Sequence, residues 1–182
     1  MVEINNLTSI PLNKKLLEKV ARRILKGEKK ERTYQSLSIA FVEPKRIKEI
    51  NKKYRGRNKI TDVLSFAESN ISGIKSRASS SKKPTSLGEI VICPQKVKKN
   101  AKKYGLSFRD ELILILIHGI LHLLGYDHEK PSTRAERGAG PVPHRNKVSG
   151  AGSKRKAKKM EKKEKFYLSQ ISTKFLKTKT YG

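Results

Sequence analysis

The most apolar stretch of this chain runs directly into a cluster of histidines. Leu112–Ile117 consists only of Leu and Ile, and His118 follows it at once. An apolar run of this kind, with no Pro and a helix-ending glycine only at Gly125, predicts a buried helix. On a helix, His118 and His122 lie one turn apart on the same face, so their imidazoles can converge on one point. Helices commonly end at a left-handed glycine, so the chain can turn at Gly125 and bring His128 back towards the pair.

Three nitrogen ligands with a fourth position left for water are the arrangement of a catalytic zinc. Three of the four histidines of the chain lie within residues 118–128. This clustering favours one bound Zn²⁺ over ordinary core or surface histidines, and it places the metal site at the end of the buried helix. The fourth histidine, His144, lies in a stretch rich in Gly and Pro and is not predicted to be a ligand.

The spacing of these histidines matches that of the metzincin proteases, but the catalytic glutamate of those enzymes is missing. Gly119 stands where that general base would follow the first histidine. A later methionine turn is also missing, since the methionines are Met1 and Met160. The sequence therefore carries the metal scaffold without the usual protease machinery, and a metallopeptidase stays a rival interpretation.

Two further residues are candidates for catalysis. Asp127, beside His128, can support a ligand as its hydrogen-bond partner, act as a general base, or be an ordinary loop residue. Arg55 opens a basic loop. It can bind a phosphate and neutralise the charge that develops in a transition state, or it can be a solvated residue or one that only positions a phosphate. Arg57 and Lys59 have the character of contacts to a nucleic-acid backbone.

The charge of the chain points to a polyanionic partner. Among 182 residues the net charge is +27, with a basic run at Lys154–Lys165, and nucleic acid is the commonest partner of such a surface.

Cys93 is the sole cysteine, so an internal disulfide is excluded. The N-terminus lacks the pattern of a signal peptide, and no apolar run approaches the ~20 residues that span a bilayer. We expect a soluble cytoplasmic protein that does not enter membranes.

The order of elements predicts an α+β domain with one mixed sheet and helices packed on it. Residues 1–130 form the predicted domain core, 131–153 a flexible Gly/Pro-rich loop, and 154–182 a basic C-terminal helix and tail. The helices begin near Pro11, Pro44, Pro94, Ser107 and Lys154, and the strands are Val2–Asn5, Leu37–Val42, Thr61–Phe66 and Leu87–Cys93.

The motif from His118 to His128 resembles the signature of the YbeY family of rRNA maturation factors. Tyr54-Arg55-Gly56, Thr61–Phe66, Gly88–Ile92 and Tyr104-Gly105 agree with that family in order and spacing. The resemblance covers roughly residues 2–129 and implies a four-stranded mixed sheet. It also implies an endoribonuclease that is specific for single strands and depends on a metal ion, usually assigned as zinc. Such an enzyme acts in maturation of the 3′ end of small-subunit rRNA and in ribosome quality control.

The resemblance assigns the metal ligands to His118, His122 and His128, and a role in activity to Arg55. The chain departs from the family where Pro131–Ser153 intervenes and a lysine-rich helix replaces an acidic one. Metal hydroxide, Asp127 and an RNA 2′-hydroxyl all stay open as the proton acceptor. Besides the metallopeptidase, a ribosome-assembly factor with a purely structural zinc is the other rival.

Overall fold

The computed structural model of the chain describes residues 1–30, 33–34, 36–68, 86–126 and 150–177, with side chains of the last segment described for 158–171. Strands and helices alternate along most of these residues. In chain order they are β1 (Val2–Asn6), α1 (Lys14–Gly27), β2 (Ser36–Phe41), α2 (Pro44–Arg55), β3 (Val63–Ala67), β4 (Ser86–Ile92), α3 (Pro94–Tyr104), α4 (Phe108–Leu123) and α5 (Gly150–Lys177).

The strands form one mixed sheet in the order β1-β2-β4-β3. β1 pairs with β2 and β2 with β4 in parallel, whereas β3 runs antiparallel to β4. The predicted α+β class and four-stranded mixed sheet are therefore confirmed. β3 forms one edge of the sheet, and Ser65, in its middle, pairs with Ile90 of β4.

Helices cover both faces of the sheet because alternate strand residues point in opposite directions. On β4, Ile90 and Ile92 belong to the large core shared with α1 and α4. Val91 belongs instead to a smaller cluster on the other face, with Ile47 of α2. This alternation places a thick layer of helices, which includes α1 and α4, on one face of the sheet and α2 on the other face.

α4 is the central helix of the thick layer, as its apolar sequence predicts. It packs against β3, β4, α1, α3 and α5, and Ile117 and Ile120 are fully buried. The Ser107 hydroxyl caps its first turn by accepting a hydrogen bond from the backbone N–H of Asp110 at 3.0 Å. Of the helices in the described ranges, none has both the length and the apolar content that crossing a membrane requires.

α5 begins at Gly150, earlier than the Lys154 predicted from sequence. Residues 150–153 suggested a loop because they include two glycines, but each costs a helix only about 1 kcal/mol. The strong helix formers that follow offset this cost. The predicted loop otherwise falls at 131–149, outside the described residues.

α5 is also buried along more of its length than its sequence suggested. Met160, near the start of the described side chains, is fully buried, and Tyr167 and Ile171 join it in the main core. The difference matters because the buried face of α5 reaches the histidines.

Candidate metal centre

α4 presents two of the three predicted ligands side by side. The rings of His118 and His122 have their centroids 4.5 Å apart and meet at 76°. Both lie in the last turns of α4, which ends at Leu123. Gly125 then adopts the left-handed conformation, with φ of +85°, so the chain turns where the sequence predicted. Asp127 and His128 lie outside the described residues.

A carboxylate from α5 contacts the first of these histidines. Oε1 of Glu164 lies 2.8 Å from Nδ1 of His118, and the Glu164 side chain is only 15% exposed. A carboxylate accepts hydrogen bonds, so Nδ1 carries the proton and donates it. The other ring nitrogen, Nε2, is then the one with the lone pair that a metal needs. Sequence reasoning missed Glu164, which lies 46 residues from His118 along the chain.

The residues present suit a zinc ion in donor chemistry and spacing. Imidazole nitrogen is a preferred zinc ligand at about 2.0 Å, and rings at the observed separation can direct one nitrogen each to a shared ion. A carboxylate on the far nitrogen of a ligating histidine is the usual support of such a site. Over the described residues, however, no group of three or more His, Cys, Asp or Glu side chains is arranged to hold a metal. His128, the third ligand predicted from the sequence, lies outside those residues.

Gly119 packs closely against the sheet. A Cβ at this position would lie 3.1 Å from Cγ2 of Ile90 and 3.3 Å from Oγ of Ser65. A side chain here would point into the sheet, away from any substrate. At the position that carries the general base in metzincins, a glutamate would therefore have to displace Ile90 or Ser65 in this fold.

Gly119→Glu should lower the free energy of unfolding by about 3 kcal/mol, because it overpacks the contact with Ile90 and buries a carboxylate. Gly119→Ala is the matched control. Its extra contact is offset by the higher helix propensity of Ala, so the change should stay within about 1 kcal/mol. Urea unfolding of the two variants measures the difference. A Gly119→Glu protein as stable as the wild type, with peptidase activity, would contradict this geometry.

Arg55 is connected to the histidine helix through one residue of the edge strand. It is the last residue of α2 and is exposed. Its Nη2 donates to the backbone carbonyl of Ser65 at 3.3 Å. The Ser65 hydroxyl in turn donates to the carbonyl of Gly119 at 3.3 Å. The structure thus brings Arg55 to the edge of the sheet against which the histidine turn of α4 packs.

Glu28 joins three parts of the chain around the site. It follows α1, and its side chain is 9% exposed. It accepts hydrogen bonds from the hydroxyl of Tyr126 at 2.7 Å, the hydroxyl of Tyr167 at 2.7 Å and Nζ of Lys163 at 2.6 Å. Tyr126 follows α4, while Lys163 and Tyr167 belong to α5, so Glu28 fixes the helix that carries Glu164.

The protonation of Glu28 reflects these contacts. Burial by itself would raise its pKa, but the hydrogen bonds from Lys163, Tyr167 and Tyr126 and the charge of Lys163 outweigh it. The net pKa lies below the ordinary 4.5. For Tyr126, burial and the hydrogen bond to Glu28 raise the pKa to about 12. At neutral pH the network therefore holds an ionised carboxylate between neutral phenols and a cation.

Glu28→Gln should cost about 2 kcal/mol of unfolding free energy, because hydrogen bonds to a charged acceptor are replaced by weaker ones. Glu18→Gln is the control, since Glu18 forms an exposed pair with Arg22 at 2.8 Å and should contribute below about 0.5 kcal/mol.

The folded-state pKa of Glu28 is depressed, so its stabilisation is present above pH 4.5 and is lost as the pH falls through the folded-state value. Urea unfolding across that range should show wild type and Glu28→Gln converging in acid; a constant difference would contradict the assignment.

Comparison with known proteins finds relatives for most of the chain. A family model described as Endoribonuclease YbeY matches residues 3–137. Proteins named Endoribonuclease YbeY are 40% identical over 114 residues in Bdellovibrio bacteriovorus, 42% over 124 in Thermodesulfovibrio yellowstonii and 42% over 115 in Staphylococcus carnosus. The alignments cover 63%, 67% and 61% of this chain, and 65%, 72% and 71% of those relatives. The family match includes all three predicted ligands and ends before α5.

One solved structure resembles the whole fold. The solution structure of the Thermotoga maritima protein TM1509 has a TM-score of 0.55 and 29% sequence identity to this chain. The match covers 98% of this chain and 93% of that one.

Proposed function

This chain belongs to the YbeY family of endoribonucleases, and on that basis we propose that it is a metal-dependent enzyme that cleaves single-stranded RNA. Its relatives are named endoribonucleases, which supports a nuclease of the hydrolase class. The observation that carries the proposal is the pair His118 and His122 with Glu164 on Nδ1 of His118. That arrangement is typical of a supported metal site.

We assign each residue a role in this reaction. His118 and His122 hold one Zn²⁺ through ring nitrogens, with His128 as the third ligand, and Glu164 fixes the orientation of His118. Bound zinc supplies Lewis acidity to the phosphodiester and lowers the pKa of water towards ~7. Arg55, at the adjacent sheet edge, binds the phosphate and stabilises the negative charge that develops on its oxygens.

The residue that follows the first histidine is not the proton acceptor. Gly119 has no side chain that could serve as a base, and it packs against Ile90 and Ser65. We propose Asp127, next to His128 in sequence, as the acceptor or as the hydrogen-bond partner of that ligand.

We propose ribosomal RNA as the physiological substrate, in maturation of the 3′ end of the small-subunit rRNA and in ribosome quality control in the cytoplasm. The family membership supports this substrate, and so does the net charge of +27, which favours a nucleoprotein partner such as the small ribosomal subunit.

The test is cleavage of matched single-stranded and duplex RNA by the zinc-loaded protein, with casein as a peptide substrate. We expect cleavage of the single strand only. Arg55→Ala should lower kcat by about 10²-fold, the usual effect of removing one donor to a charged transition state. Arg46→Ala is the control, because Arg46 lies in the first turn of α2 and pairs with Glu49. Cleavage of casein, or equal RNA cleavage by wild type and Arg55→Ala after identical purification, would refute the proposal.

A further inference from the structure

Tyr54 is an exposed aromatic residue at the end of α2, beside Arg55. Its side chain is 60% exposed. Its ring contacts that of Phe66 of β3, with centroids 5.3 Å apart at 63°, and Nζ of Lys53 lies 5.2 Å from its centroid. An edge-to-face contact of this kind fixes the ring while leaving aromatic surface accessible. The half-buried ring of Phe66 also packs against the smaller core cluster, so the support for Tyr54 is itself anchored.

The segment around Tyr54 is strongly basic and well ordered. The cations Lys52, Lys53, Arg55, Arg57 and Lys59 are all exposed, and residues 50–61 contain no acidic residue. The loop after α2 is held by Asn51, a buried polar side chain. Nδ2 of Asn51 donates to the carbonyl of Lys59 at 2.8 Å. Arg57 and Lys59 are therefore displayed by a preorganised loop, which binds a ligand at a lower entropic cost, and Lys52, Lys53 and Arg55 are displayed by the last turn of α2.

The candidate metal centre and the ring of Tyr54 lie on opposite faces of the edge strand β3. Phe66, which supports it, is adjacent in β3 to Ser65, whose hydroxyl contacts the carbonyl of Gly119 between the two histidines. An RNA strand that crosses this edge of the sheet can thus touch both sites. The cations take its phosphates, and the ring meets a base.

We propose that Tyr54 is a base-stacking platform that holds one nucleobase of single-stranded RNA beside the cleavage site. Exposed aromatic rings among cations are how proteins hold single strands, since every base has a stacking face and a duplex does not present it. The assignment rests on the proposed function and adds to it a physical basis for preferring single strands. Stacking uses the ring, so Phe can replace Tyr, whereas Ala cannot.

The test is fluorescence anisotropy with a fluorescein-labelled 2′-O-methyl oligouridylate of about eight nucleotides, within the usual site size for single strands. Zinc-loaded wild type, Tyr54→Ala and Tyr54→Phe are compared. Tyr54→Ala should bind roughly 10-fold more weakly, the effect of losing one base stack, and Tyr54→Phe should bind within about twofold of wild type. An abasic oligomer of the same length should bind wild type and Tyr54→Ala equally.

Tyr104→Ala is the matched control. Tyr104 is also 60% exposed and also has a lysine, Lys103, 5.3 Å from its ring. It is the last residue of α3, and the start of α4 that follows lies about 15 Å from His118 along α4 at 1.5 Å per residue. Its substitution should leave binding unchanged. Equal binding by Tyr54→Ala and wild type, or equal weakening for the abasic oligomer, would overturn the platform.

The binding readout is independent of catalysis. Should the protein bind the oligouridylate as described but cleave no RNA, the nuclease proposal fails and the platform stands. Should it cleave RNA normally with Tyr54→Ala binding unchanged, the platform fails and the nuclease proposal stands.

Discussion

His118→Ala protein should lose bound zinc and RNA cleavage together, each falling to background. Removing this imidazole leaves His122 without the neighbour 4.5 Å away and leaves Glu164 without the ring nitrogen that it contacts. Two remaining histidines hold zinc far more weakly than three, because each ligand contributes to one polydentate site. Metal content by mass spectrometry and cleavage of single-stranded RNA are measured on the same preparation.

His144→Ala is the control for this experiment, since it removes the one histidine outside the 118–128 cluster. It should keep both zinc and cleavage. Retention of full cleavage by His118→Ala protein verified to be free of metal would be incompatible with the assigned site.

Glu164→Gln should weaken zinc binding by about 10–100-fold without unfolding the protein. This is the usual range when the hydrogen-bond partner of a ligating histidine is lost. An amide can accept or donate, so Gln no longer requires Nδ1 of His118 to carry the proton. Competition with a chelator gives the zinc affinity, and nitrogen NMR of the metal-free protein gives the tautomer of His118. Glu164→Asp, which keeps the carboxylate, should recover part of the affinity.

Glu161→Gln is the matched control for Glu164. It removes the same charge from the same helix, but Glu161 pairs with Lys165 at 2.8 Å on an exposed face. Its zinc affinity and His118 tautomer should equal those of wild type. If both variants weakened zinc equally, the effect would be one of net charge, and Glu164 would not be a positioning residue.

The elements that form the sheet and its central helix were predictable from local patterns. The apolar run before His118 predicts a buried helix, and α4 is that helix. Pro44 and Pro94 predict helix starts, and α2 and α3 begin there. The four strands were found by alternation and β-branched content. Such signals depend on neighbours along the chain, and so a sequence contains them directly.

The long-range contacts of the site were harder to predict. The role of Glu28 is not visible in the sequence because its partners Tyr126, Lys163 and Tyr167 are distant along the chain. Glu164 did carry a signal, since it lies four residues after Met160 and three before Tyr167, on one helical face. The surrounding lysines obscured that face, and nothing in the sequence indicates that it meets His118.

The most direct test of the central claim is a zinc titration of metal-free protein, with cleavage of single-stranded RNA as the readout. If His118, His122 and His128 form one catalytic site, cleavage should rise with added zinc and reach a plateau at one ion per chain. His118→Ala treated identically should stay at background throughout. Undiminished cleavage by the metal-free protein, or stoichiometric zinc binding that leaves cleavage at background, would contradict the account.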